Sequence, residues 1–171
     1  AMVLLGVQSF AHAWVLFATG LFFLIGFMDD SLGLIRKTNK GLSARVKFLL
    51  QVVFSVLVVG LYQYGIDTVT WIEWVLYVFL LVGTSNACNL TDGVDGLLSS
   101  TMVVSLIGVG LLCFQLGRYD MLPFVWVMVA VLGVFLLFNW RPASIFMGDA
   151  GSLMLGGFLA AICIVTQQWI V

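Results

Sequence analysis

Three short blocks of this chain carry carboxylates, amides and glycines, and their spacing limits the chemistry open to them. Asp29-Asp30 is an adjacent carboxylate pair that could bind a hard divalent cation or share a proton. A solvated helix end would accommodate the same pair. The block Asn89-Leu90-Thr91-Asp92-Gly93-Val94-Asp95-Gly96 holds two carboxylates three residues apart, each followed by glycine. Its cap-forming side chains precede an apolar run, so it reads as a helix start where backbone can approach an anionic ligand. A plain capped turn is the alternative. Phe146-Met147-Gly148-Asp149-Ala150-Gly151-Ser152 repeats the theme, an acid flanked by glycines opening the last apolar run, where Asp149 could serve as a cap. Arg36, Lys37, Lys40, Arg45 and Lys47 form a basic cluster that could hold topology at an anionic lipid surface or neutralise a phosphate group. Ser43 is placed to cap the helix that carries Arg45 and Lys47.

The elements that must position these groups are apolar. The chain has 171 residues, of which 63% are hydrophobic and only 9% charged. A water-soluble domain normally carries about 25% charged residues, so this composition indicates an integral membrane protein. A net charge of −1 gives no footprint for nucleic acid. Apolar runs long enough to cross a bilayer as helices are Phe10–Met28, Val46–Tyr62, Ile72–Cys88, Leu97–Leu116, Met121–Asn139 and Ser152–Ile170. Gly83, Thr84, Ser85 and Asn86 make the late part of the third run polar, as at a helix mouth opening onto water. Residues 1–9 read as the tail of an earlier segment or a short external loop. Unbroken apolarity excludes barrel strands, which alternate apolar and polar residues. The expected fold is all-α, a polytopic transmembrane bundle with six spans, forming one integral membrane domain over residues 1–171.

Counting crossings gathers the chemistry. Six of the seven basic residues fall on one face, which the positive-inside rule assigns to the cytoplasm; Arg118 lies opposite. Asp29, Asp30, Asp92, Asp95 and Asp149 share that same face, while Asp67, Glu73 and Asp120 lie outside. Acids beside a basic loop on one face suggest a metal-and-phosphate site. His12, alone in an apolar span, reads as a packing or interfacial residue. Cys88, Cys113 and Cys163 lack the spacing of a disulfide framework or a zinc site.

Taken in order, GFMDD, TNKGLSARVKF, NLTDGVDGL and FMGDAGSL resemble the phospho-N-acetylmuramoyl-pentapeptide transferases of bacteria across nearly the whole chain. The wider superfamily of polyprenyl-phosphate hexosamine-1-phosphate transferases shares the aspartate pair and the GDAGS-like block. The KGLSAR and NLTDGVDG stretches favour the muramoyl branch. The resemblance implies a Mg²⁺-dependent transfer of phospho-MurNAc-pentapeptide from UDP-MurNAc-pentapeptide to undecaprenyl phosphate, giving lipid I and UMP. It implies a site on the cytoplasmic face of the bacterial inner membrane, with a homodimer as a further expectation. By block matching, Asp149 is the metal ligand, and Asp29 and Asp30 lie at the reaction centre, one of them as base or nucleophile. Asn89, Asp92 and Asp95 line the nucleoside side, with Asn86 also counted among the substrate-binding residues. Phe146 stacks on uracil, and Lys37, Lys40 and Arg45 contact phosphate.

Members of that family carry about ten spans, more than the six counted here. The early Pro-Thr-Met-Gly-Gly block and a later histidine-rich inner loop are not in this sequence, which therefore reads as an internal portion of a larger protein. Two rival functions stand beside this one. A sister transferase would use UDP-GlcNAc for teichoic acid or another surface glycan. A transporter or structural module would bury charges mid-span, whereas here they gather at the span ends.

Overall fold

A computed structural model describes residues 2–37 and 41–167, with side-chain surroundings from residue 9 onward. Six α-helices make up the fold: α1 (Met2–Arg36), α2 (Ala44–Gly65), α3 (Trp71–Thr91), α4 (Leu97–Gln115), α5 (Leu122–Asn139) and α6 (Gly148–Thr166). Each is long and apolar enough to cross a membrane, and the described residues contain no strand. The chain is a multi-pass membrane protein. Local signals set several of the starts. Ser43 caps α2, its hydroxyl accepting the Val46 N–H at 3.3 Å. Thr70 and Glu73 form a reciprocal capping box on α3. Pro123 sits in the first turn of α5, where a missing N–H costs nothing.

The most buried helix is α6, which packs between α1 and α3; α2 closes against α1 and α3, and α4 pairs with α5. Within a bilayer no hydrophobic force drives helices together, so close contact requires small residues at the interface. Here Gly156, Gly157, Ala160 and Ala161 on α6 are all buried. A Cβ on Gly156 would fall on the backbone of Ser85 in α3, and one on Gly26 of α1 would fall on the backbone of Asp149 and Ala150. These contacts bring α6 flush against both neighbours near the end where the carboxylates lie.

The crossing count holds, but several element bounds differ from the expected ones. Residues 2–9 belong to α1 rather than to a separate tail or loop, and α1 continues past Asp29 and Asp30 to Arg36. No proline interrupts that stretch, and both carboxylates find partners in place. Asn89 and Thr91 lie within α3, not in a cap before α4. The Thr91 hydroxyl donates back to the Ala87 carbonyl at 2.8 Å, and the N–H of Asp92 to the Cys88 carbonyl at 3.1 Å, extending α3. Thus α4 begins at Leu97, after Gly96 at the N-cap position, which has a φ of 73° and offers no side-chain cap. The last helix begins at Gly148 rather than Ser152 and ends at Thr166; the expected positions 168–170 lie outside the described residues.

Candidate active site

The ends of α1 and α3 meet the starts of α2 and α6 on one face of the bundle. Asp29 sits near the end of α1 with its two oxygens divided between partners. Oδ1 accepts the N–H of Leu42 at 2.7 Å, and Oδ2 lies 3.1 Å from the Lys47 ammonium. The chain must turn tightly for Leu42 to reach it: a Cβ on Gly41 would stand 2.7 Å from the Asp29 carboxylate. Lys47, one turn into α2, also pairs with Oδ2 of Asp149 at the start of α6. Oδ1 of Asp149 accepts from the Asn89 side-chain amide of α3 at 2.8 Å, and that amide also donates to Ser152 Oγ at 2.9 Å. Lys47 therefore joins two carboxylates that are far apart in the chain, and all three side chains are largely shielded from water.

Asp30 does something different from its neighbour. Its Oδ1 accepts the backbone N–H of Asp149 at 3.2 Å and its Oδ2 that of Ala150 at 3.0 Å. A carboxylate from α1 thus satisfies the orphan donors that open α6, a cap supplied from another helix. Gly148 makes room: its φ is 68°, and a Cβ there would lie 2.8 Å from Asp30 Oδ2. The alternative in which Asp149 itself caps α6 does not hold, because α6 has no side-chain cap of its own and the Asp149 carboxylate faces Asn89 and Lys47.

Asp29, Asp30 and Asp149 each offer an oxygen within 4.8 Å of the others. With both Asp30 oxygens turned to backbone N–H groups, Asp29 and Asp149 are the better placed to hold a divalent cation. The Lys47 ammonium between them shows that a cation is accommodated there. Asp92, at the C-cap of α3, lies close enough to feel this cluster. Burial, then the charges of Asp149 and Asp30, push its carboxyl up to about 6. Two carboxylates face the one ammonium, and Asp30 and Asp92 stand near them, an excess of acid that draws further positive charge.

The remaining expected site residues divide by position. Asn86 lies one turn below Asn89 and donates to Gln51 Oε1 and to the Val82 carbonyl, both at 2.8 Å, as part of an α2–α3 polar network. Asp95 stands apart from the cluster: its carboxylate accepts the Ala143 N–H at 3.1 Å and ties the α3–α4 turn to the α5–α6 loop. It lines a separate cleft of about 420 Å³ with Ser100, Trp140 and Arg141. Phe146 is exposed on the loop before α6, beside an apolar hollow lined by Met128, Met147 and Met154. Lys37 and Arg45 are exposed at the rim, and Lys40 lies outside the described residues. Among the described residues the ion pairs to the cluster come from Lys47 alone. Reading the basic residues as one loop cluster hid this, although Lys47 lies one helical turn after Ser43 and so belongs to the inward start of α2. Ser152 was missed as well; its place three residues after Asp149, on the same face of a helix, was the available signal.

At the opposite end, Arg118 pairs with Asp120 and donates to the Val165 carbonyl at 2.8 Å, and His12 packs on Phe124 beside Asp120. The acids therefore sort to the two ends as the crossing count requires. Cys88, Cys113 and Cys163 form no disulfide.

The family described as glycosyl transferase family 4 matches residues 12–167. Proteins similar to the chain include phospho-N-acetylmuramoyl-pentapeptide-transferases of three bacteria. That of Streptococcus equi subsp. zooepidemicus is 44% identical over 158 residues, covering 85% of this chain and 47% of the relative. That of Listeria monocytogenes is 42% identical over 175 residues, covering 94% and 54%. That of Streptococcus pneumoniae is 41% identical over 165 residues, covering 91% and 51%. The chain spans about half the length of these relatives.

Proposed function

The chain belongs to glycosyl transferase family 4, and on that premise we propose that the full-length protein transfers phospho-MurNAc-pentapeptide from UDP-MurNAc-pentapeptide to undecaprenyl phosphate, releasing UMP and forming lipid I. The names of the similar proteins support the muramoyl substrate. The observation that carries the chemistry is the cluster of Asp29, Asp149 and Lys47 at one end of the bundle, where a membrane-held phosphate can meet a soluble nucleotide.

In this reaction an oxygen of the lipid phosphate attacks the sugar-bearing phosphorus of the UDP-sugar. A new P–O bond forms, the pyrophosphate bond breaks, and the electron pair leaves with UMP. Several negative charges must converge, so the site has to counter them. We assign Mg²⁺ to Asp149 and Asp29; when bound, it would offset charge on the pyrophosphate. Asp29 sits where it can accept a proton from the incoming phosphate monoester. Asp30 holds the start of α6 and so fixes the direction of the Asp149 carboxylate. Asn89 holds Asp149 from the other side. Asp92, Asp95, Asn86 and Phe146 are assigned to the nucleotide side, and Lys37, Lys40 and Arg45 to phosphates arriving at the rim.

The test is UMP release by the full-length protein with undecaprenyl phosphate, comparing UDP-MurNAc-pentapeptide with UDP-GlcNAc. Release with the muramoyl substrate alone is expected; turnover of UDP-GlcNAc alone would reassign the protein to the sister branch. The cytoplasmic placement is tested by reporters fused after Arg141 and after Gly65. They should read inside and outside respectively, and the same side for both would overturn it.

A further inference from the structure

Each of the two cation-facing carboxylates is held in the same way. Oδ1 of Asp29 accepts a neutral backbone N–H from Leu42, and Oδ1 of Asp149 accepts a neutral amide N–H from Asn89. Both Oδ2 atoms are turned onto the Lys47 ammonium. The oxygens a divalent ion would need are therefore the ones Lys47 occupies, while neutral donors hold the other oxygen of each carboxylate. An ammonium and a divalent cation on the same two oxygens repel strongly in a shielded site, so each weakens binding of the other. Lysine suits an exchange: its charge rides on a flexible four-carbon stem, and Lys47 lies in the first turn of α2, beside the open rim.

From this pairing, and resting on the metal assignment above, we infer that Lys47 is an exchangeable counter-ion. Its ammonium fills the position between Asp29 and Asp149 until a divalent cation displaces it toward the substrate phosphates. Lys47 thereby opposes metal binding in the empty site and assists phosphate binding in the loaded one, so that metal and nucleotide favour each other.

The experiment uses the full-length protein in detergent, without substrate, and measures Mn²⁺ affinity by the paramagnetic signal of free Mn²⁺. Lys47→Gln and Lys47→Met should bind Mn²⁺ more tightly, by about tenfold or more, since a competing charge has been removed. Asp149→Asn should bind it more weakly. In the wild type, amine-directed labelling of Lys47, followed by mass spectrometry, should rise several-fold when Mg²⁺ is added and not with equivalent Na⁺. This second measurement needs no variant to fold. Unchanged or weaker Mn²⁺ affinity in folded Lys47→Gln, or labelling that Mg²⁺ leaves unchanged or lowers, would overturn the exchange. If Asp149→Asn leaves Mn²⁺ affinity unaltered, the metal assignment itself fails. If only the Lys47 results fail, the metal assignment stands and the exchange is wrong.

Discussion

Asp30, near the end of α1, accepts the backbone N–H groups of both Asp149 and Ala150, at 3.2 and 3.0 Å, and so caps α6 from a helix more than a hundred residues away. The adjacent Asp29 instead faces Lys47 and the Leu42 N–H. Two neighbouring carboxylates with the same local sequence context thus have separate tasks, one holding a helix start and one facing the site.

Asp30→Ala removes both acceptors from the start of α6. The expected loss is about 0.5–2 kcal/mol, the range for a helix cap, read as a lower melting temperature of the full-length protein in detergent. Asp30→Asn keeps one acceptor oxygen and should fall between. Asp29→Asn should melt close to the wild type yet lose most of its turnover, because the group that accepts a proton is gone. A wild-type melting temperature for Asp30→Ala would refute the cap.

Asp149→Asn preserves shape and removes one ligand charge. Half-maximal rate should need more Mg²⁺, and raising the ion should restore part of the turnover. Asp29→Asn also removes a ligand charge and should need more Mg²⁺, but its rate at saturating ion should stay low because the proton acceptor is lost. Rate measured against Mg²⁺ concentration for the two variants separates metal binding from proton handling. An unchanged Mg²⁺ requirement in Asp149→Asn would count decisively against its role as ligand.

Two glycines of α1 give a paired packing test. A Cβ at Gly26 would collide with the backbone of Asp149 and Ala150, whereas one at Gly20 meets nothing within 4 Å. Gly26→Ala should lose about 1–3 kcal/mol through overpacking and disturb turnover by displacing Asp149. Gly20→Ala should be neutral or stabilising, by up to about 1 kcal/mol, from helix propensity alone. Equal melting temperatures for the two variants would show that α1 and α6 are not in close contact at Gly26.

Asp92 makes stability depend on pH. Its folded carboxyl titrates at about 6, above its ordinary value of 3.8, because of burial and the charges of Asp149 and Asp30. The folded state therefore holds this proton more tightly than the unfolded chain does. The contribution is complete below about pH 4 and is lost as pH rises through 6. Asp92→Asn mimics the protonated form at every pH. In metal-free buffer its melting temperature should rise relative to the wild type between pH 4.5 and 7, a window around the cited value. A constant difference across that window would exclude the shifted carboxyl.

The six spans, their alternating direction and the gathering of Asp29, Asp30, Asp92, Asp95 and Asp149 on one face were legible in the sequence. Bilayer thickness and the cost of charge in hydrocarbon act on every residue locally, so apolar run length and charge placement suffice. The Ser43 cap was equally local. Which side chains meet was decided by the tertiary structure. Lys47 reaches Asp149 across 102 positions, and Asp30 reaches Ala150 across 120. No periodicity within one helix records which other helix will lie beside it. For the same reason α6 begins four residues earlier than its apolar run: its cap comes from Asp30 on α1, whereas the local candidate, Asp149, faces Asn89 and Lys47. Likewise Asn89 stays helical in α3 because Asp149 and Ser152 satisfy its amide. Without those partners the same residues would serve as well for a turn. The small residues of α6 were visible as composition, but only the approach of α1 and α3 turns them into the contacts that bring the carboxylates together.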